Sequence, residues 1–342
     1  MIEIQEDVHN VVYPLFILDI GKKSFLKGGN MEPEYFWTVY ENDISKEEYI
    51  RYHGAKIGFL LDEGFVLKNK PKTTFVLGKN SEDTYLTFDL SEMGSVVIAG
   101  EDGSPGFGND ESGRYNFMES LVAEYLVNTM IDDDQLILIG SRVDWFHCKG
   151  LPTPCVTVID EPNEALKSLN NILCSDLVDR YLLFENTEDD YKTPIRSIRE
   201  YNHLMKERGE KEIQYIVIVI NNLEELMRKA PADTEEAICQ LANLGKPVGI
   251  YLIICTRDVS DYVLTEWIKK SISNRIVFRL KSKDESIAVL KNSGAEMLKG
   301  RGDMLFSSDE GENIIRLQAA LLGSDSMDNI IWHYTEMKKK LD

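Results

Sequence analysis

Paired cysteines, metal-spaced histidines and long apolar runs are all missing from this chain of 342 residues, and each absence removes a class of function. The five cysteines (Cys148, Cys155, Cys174, Cys239 and Cys255) are odd in number and contain no Cys-x-x-Cys unit. Neither a disulfide framework nor a cysteine zinc site is indicated. His147 and Cys148, with Cys155 further on, suggest metal ligands by proximity alone, and scattered buried thiols account for them better. The five histidines (His9, His53, His147, His203 and His333) show no His-x-x-x-His or His-Glu-x-x-His spacing, so zinc chemistry has no support. No Gly-x-Ser-x-Gly elbow is present, which leaves serine-hydrolase readings poor. No stretch approaches the ~20 apolar residues that cross a bilayer. The opening MIEIQEDVHN lacks the basic region and apolar core of a signal peptide, so the expected location is the cytoplasm.

Positive charge is also scarce, with 38 basic against 58 acidic residues and a formal net charge of −20. That balance opposes non-specific binding to a phosphate backbone. The acids are spread along the chain, as in Glu188 to Asp190 and Asp309, Glu310 and Glu312, and solvated faces explain most of them.

What is present is an alternation of short apolar runs with helical-period segments from Ser95 onward, the sequence form of a mostly parallel sheet covered by helices. The expected strands are Val96 to Ala99, Gln135 to Ile139, Cys155 to Ile159, Ile213 to Ile220, Gly249 to Cys255 and Arg275 to Leu280. Their runs show little polar alternation, as strands buried on both faces should. Phe117, Leu121, Val122, Tyr125 and Leu126 share a helical face, as do Leu166, Leu169, Ile172 and Leu173. In TEEAICQLANLG, Thr234 reads as an N-cap and Gly245 as the stop. The first part of the chain reads differently, and a small α+β module over residues 1–72 is expected before an α/β domain over 73–342.

The strand and loop VVIAGEDGSPGFGNDESGRYNFMESLVAEYL run from apolar β-strand through glycines into an amphipathic helix. Such a junction offers backbone N–H groups and a helix N-terminus to phosphates. A phosphate loop of the Gly-x4-Gly-Lys-Ser/Thr kind is nevertheless missing.

From about Phe75 to Tyr334 the chain resembles the motor domain of the FtsK/SpoIIIE family of DNA translocases. The resemblance rests on the approach strand VLGKNSEDTYLTFDLSEMGSVVIAG, the second nucleotide motif IQYIVIVINNLEELM, the sensor strand GIYLIICTRDVS and the C-terminal run NRIVFRLKSKDESIAVLKNSGAEMLKGRGDMLF. It implies a RecA-like fold, with Gly100, Gly103, Gly113, Arg114, Tyr115, Thr256 and Arg257 at the vestige of a nucleotide site. It also implies hexamers or mixed rings, and Lys246 stands where members commonly place an arginine near a neighbouring subunit's site.

The departures concentrate where the chemistry belongs. Arg114 stands for the phosphate lysine and Tyr115 for the magnesium-binding serine or threonine. Asn221 and Asn222 stand for the aspartate and glutamate that organise magnesium and polarise the attacking water. An amide has neither the charge for a hard cation nor the basicity for a proton. Carboxylates at Glu101, Asp102, Asp110 and Glu111 repel a triphosphate. The expectation is therefore a non-catalytic subunit of a translocation or secretion machine, with no cofactor or metal and with protein partners. ATP and magnesium belong to the alternative, an active DNA or protein translocase with an unusual site. Arg301, Gly302 and Asp303 spell an adhesion tripeptide inside the family-like run, and Lys338 to Lys340 read as helix end-capping.

Overall fold

Apolar runs with no polar alternation must be covered on both faces, and in the computed structural model they are. It describes residues 72–82, 84–101, 113–129, 134–140, 148, 156–192, 194–308 and 311–319. The expected module over 1–72, apart from its last residue Lys72, lies outside the described residues, as do Gly103 and the terminal stretch with Lys338 to Lys340.

The described strands form one sheet in the order β2-β1-β10-β9-β8-β3-β7-β6-β4-β5. Six of them are mutually parallel: β3 (Val96–Ala99), β4 (Gln135–Ile139), β5 (Val156–Ile159), β6 (Ile216–Ile220), β7 (Ile250–Thr256) and β8 (Asn274–Val277). Every residue of β3, β6 and β7 is buried, so helices screen both faces. β6 lies between β7 and β4, well inside the sheet, as its apolar sequence requires.

Four strands extend this sheet antiparallel: β1 (Thr74–Lys79), β2 (Tyr85–Asp89), β9 (Asp303–Ser307) and β10 (Ile315–Ala319). The described helices are α1 (Leu90–Met93), α2 (Arg114–Asn128), α3 (Pro162–Asn171), α4 (Val178–Tyr191), α5 (Ile198–Arg208), α6 (Leu223–Lys229), α7 (Pro231–Leu244), α8 (Glu266–Ser271) and α9 (Lys283–Leu290). The anticipated stripe of α2, from Phe117 to Leu126, is buried against the core. The stripe from Leu166 to Leu173 is buried too, but the helix widens to a π-turn at Ile172–Leu177.

Thr234 is not an N-cap. Helix α7 starts a turn earlier at Pro231, whose missing N–H costs nothing in a first turn, and the Thr234 hydroxyl is buried against the Leu226 carbonyl. Gly245 does end α7, with a right-handed backbone at φ −74°.

The sheet order also positions a site. β3 is flanked by β7 on one side and β8 on the other, and β7 by β6. All four are parallel, so the loops leaving β3, β6, β7 and β8 converge at one edge. Crevices at the carboxyl ends of parallel strands, where the order reverses, are where such folds bind ligands.

Candidate functional site

Gly100 leaves β3 at that edge with its N–H donated to the Thr256 carbonyl at 3.2 Å. A Cβ there would lie 2.7 Å from Phe278 Cβ, so close packing of the strand ends demands glycine. The next residue, Glu101, donates its N–H to the Arg279 carbonyl at 3.0 Å and faces the Arg279 side chain at 3.8 Å. Its carboxylate thus has a cation of its own. Helix α2 begins after Gly113, which caps it at φ 88°. A side chain at Gly113 would meet the Gly302 backbone nitrogen at 2.5 Å, so the helix start is wedged against the loop before β9.

The side chains that follow turn inward. Arg114 is 1% exposed, and its Nη1 reaches Asn221 Oδ1 at 3.4 Å. The ring of Tyr115 packs against the hydrophobic core. Asn221, 2% exposed, continues the β4–β6 ladder through its N–H to the Ile139 carbonyl. Asn222 starts α6 in a left-handed backbone with φ 61° and ψ 60°.

A second cluster sits beside it on the β7 end. Thr256 is fully buried, and its hydroxyl lies 3.1 Å from Glu224 Oε2. Arg257, half-exposed, places Nε 2.8 Å from Glu224 Oε1. Glu224 itself is 4% exposed, in the first turn of α6, where a negative charge also suits the helix dipole. Sequence reading passed over Glu224, because nothing in NNLEELM separates the buried glutamate from the partly exposed Glu225. Its partners are ~30 residues away in the chain, a proximity that folding alone creates.

Of the residues singled out from sequence, the structure brings Gly100, Gly113, Arg114, Asn221, Asn222, Thr256 and Arg257 to one edge. It joins Arg114 to Asn221 and leaves Thr256 and Arg257 on Glu224. Lys246 is not among them. It is exposed in the turn leading into β7, at the opposite edge of the sheet, where its chain passes Gly94.

Two voids flank the edge. One of about 10 Å³, room for roughly a single water, is lined by Asn221, Asn222, Glu225, Asp160 and Glu161. The other, about 590 Å³, opens beyond Arg257, and its charged lining sets Asp258, Asp261, Asp284 and Glu285 against Arg257 and Lys281. An excess of carboxylates repels a triphosphate there. Magnesium bound with a nucleotide would ask for a small hydroxyl at the start of α2 and a free carboxylate at the end of β6. The described residues offer a core-packed tyrosine, two amides and a glutamate already held by arginine, and this donor set does not fit the ion. Among the described residues no cluster of three or more histidine, cysteine or acidic side chains is placed to hold a metal.

Comparison with known proteins bears on the same segments. A sequence model described as the FtsK/SpoIIIE family matches residues 61–261. The DNA translocase FtsK of Staphylococcus aureus is 28% identical over 287 residues, covering 82% of this chain and 34% of that protein. The chain therefore spans about a third of the length of such curated relatives. Among solved structures, the pCW3 conjugation coupling protein TcpA, with ATPgS, superposes with a TM-score of 0.65 at 22% identity, over 80% of this chain and 72% of that one. The cytoplasmic domain of the type VII secretion ATPase EccC of Thermomonospora curvata gives 0.63 at 18% identity, over 80% of this chain and 33% of that one. These structural likenesses establish the RecA-like P-loop ATPase fold.

Proposed function

The chain belongs to the FtsK/SpoIIIE family, and from that premise we propose that it is a non-catalytic subunit with an ATPase fold, working inside a ring-forming translocation or secretion machine. One observation carries this reading. β6 is followed by Asn221 and Asn222, and the buried carboxylate nearest to them in sequence, Glu224, is paired with Arg257 at 2.8 Å.

Hydrolysis of a triphosphate needs a clamp on the γ-phosphate, a held magnesium ion and an oriented water. Arg114 is turned away from the solvent edge onto Asn221, Tyr115 is spent on the core, and amides stand for both acids. Loss of a single preorganised electrostatic group commonly costs about 3 kcal/mol of barrier. Several such losses together leave no turnover to measure. The fold and its surfaces survive, and they suit a protein that serves as a scaffold or regulator among protein partners.

The test is magnesium-dependent ATP turnover by the purified protein. No rate above background is expected. Turnover at a rate typical of motors, abolished by Arg114→Ala, would replace this reading with that of an ATP-driven DNA or protein translocase. Light scattering of the purified chain, alone and mixed with co-purifying partners, tests the ring: a strictly monomeric chain in both conditions removes that part.

A further inference from the structure

Helices α4, α7, α8 and α9 are joined in a row by side-chain hydrogen bonds, and the two flanks of that row differ in charge. Tyr181 on α4 donates its hydroxyl to the Leu244 carbonyl of α7 at 2.9 Å, and Asn243 of α7 donates Nδ2 to Ser271 Oγ of α8 at 3.2 Å. Lys269 Nζ on α8 in turn reaches the Ala288 carbonyl of α9 at 3.4 Å. The strands that lead into the two flanks, β5 and β8, bound the parallel part of the sheet and stand five strand spacings, roughly 24 Å, apart. Residues 162–191, from α3 through α4, hold seven acidic against two basic residues, whereas residues 266–291, spanning α8 and α9, hold seven basic against three acidic. In a chain of net charge −20 the second flank runs against the whole. Each flank also groups apolar side chains in the open. Val178 and Leu182 lie one turn apart on α4, beside exposed Tyr181 and Leu244, while Trp267 on α8 is 67% exposed and Ile287 on α9 is exposed as well. Single exposed apolar residues need no explanation, but a group rimmed by charge marks an interaction surface.

We propose that these flanks are the two sides of one interface between copies of this chain, the acidic α4 flank of one copy receiving the basic α8 and α9 flank of the next. On the acidic side Asp179 and Glu185 are exposed around Val178 and Leu182; on the basic side Lys270 and Lys283 are exposed around Trp267 and Ile287. Complementary charge fixes the head-to-tail pairing, because two acidic or two basic flanks repel, and the exposed tryptophan is the kind of anchor that carries binding energy. A basic partner would satisfy only the α4 flank and an acidic partner only the other; a second copy satisfies both. The two flanks stand too far apart to meet within one copy. A contact of this heterologous kind propagates from copy to copy and closes into a ring where the rotation allows. The interface rests on the ring-forming reading proposed above and supplies the surfaces for it.

The test is sedimentation velocity of the purified full chain over a concentration series, with two charge-reversed variants. The D179K/E185K and K270E/K283E proteins are each expected to sediment as monomers at concentrations where the parent associates. Mixed in equal amounts they are expected to associate again, since the reversed α4 flank of one fits the reversed α8 and α9 flank of the other and their native flanks also fit. Trp267→Ala is expected to weaken association about tenfold or more without changing the circular dichroism spectrum. Variants that associate like the parent, or that stay apart when mixed, overturn the interface and leave the ring to other surfaces. A parent that is monomeric throughout overturns it as well, and the ring reading then stands only if added partners assemble it. Should a double variant fail to fold, Trp267→Ala decides alone, and association at parental strength overturns the interface. ATP turnover by the unmodified protein sinks the non-catalytic reading and leaves this measurement untouched.

Discussion

Asn222 has two explanations at the scale of the single residue, and the backbone separates them. Its φ of 61° lies in the left-handed region, where asparagine is tolerated and side chains such as glutamate pay roughly 1 kcal/mol. The left-handed turn from β6 into α6 therefore favours asparagine over glutamate, and the amide is also unfit for a catalytic base. Asn222→Glu should lower stability in urea by about 1 kcal/mol, and Asn222→Gly should be close to neutral. A glutamate variant as stable as the parent would refute the backbone account. The combined change Asn221→Asp with Asn222→Glu should not restore ATP turnover, since Tyr115 still leaves no small hydroxyl at the start of α2. The thiols divide in a similar way. Burial, with the charge of Glu119 adding to it, pushes Cys148 up to about 12, so it carries almost no thiolate at neutral pH. Cys174 is exposed. Iodoacetamide at neutral pH should label Cys174 in the folded protein and spare Cys148, as read by peptide mass mapping. Labelling of both at one rate would mean that Cys148 is not buried as described.

Among the elements, the antiparallel wing carries one charged pair between β9 and β10. Arg316 on β10 donates from Nε to Asp303 Oδ1 at 2.8 Å and from Nη2 to Oδ2 at 2.5 Å, and the Lys299 N–H adds a third bond at 2.8 Å. Burial pushes the Asp303 carboxyl up, but these hydrogen bonds and the Arg316 charge outweigh it and hold the pKa below its ordinary value. A depressed folded-state pKa gives stability that is complete above the unfolded pKa and lost as pH falls through the folded one. Asp303→Asn should therefore lower the melting temperature at neutral pH, with the gap between variant and parent closing in acid. A gap constant across pH would exclude the ion pair as its source. The same contacts commit Asp303 of the Arg301-Gly302-Asp303 tripeptide to the fold, so no adhesion motif is presented. How legible each element was follows from burial. The parallel strands β3, β6 and β7 are buried on both faces and read as unbroken apolar runs, whereas β10 is five residues long and buries only Leu317 and Ala319. The π-turn at Ile172–Leu177 keeps its apolar spacing and is invisible in sequence. At the site, Gly100, Asn221, Thr256 and Arg257 were legible as strand-end residues. The pairing of Arg114 with Asn221, and of Glu224 with Arg257, was not, because each joins side chains brought together only by the parallel order of β3, β7 and β6.

For the whole molecule, the question is whether kinship with DNA translocases brings DNA affinity with it. A protein binds duplex non-specifically by neutralising phosphates with lysine and arginine and releasing counterions. This chain carries 58 acidic against 38 basic residues, so its net charge of −20 opposes the approach of a polyanion. Screening over a Debye length of about 8 Å at physiological salt confines that repulsion to the near surface, and a local basic groove would be needed to reverse it. The cleft of about 590 Å³ beyond Arg257 does not provide one, since four carboxylates outnumber Arg257 and Lys281 in its lining. Three of the basic side chains at or near the candidate site are also engaged: Arg257 with Glu224, Arg279 with Glu101, and Arg114 in the interior with Asn221. Binding to random duplex DNA near physiological salt should therefore be weaker than micromolar by fluorescence anisotropy. Lowering the salt should help little, because it lengthens the reach of the net repulsion as well as of any local attraction. Submicromolar binding that weakens steeply with added salt would show that phosphates are being neutralised after all, and it would replace the proposed scaffold role with that of a component that tracks DNA.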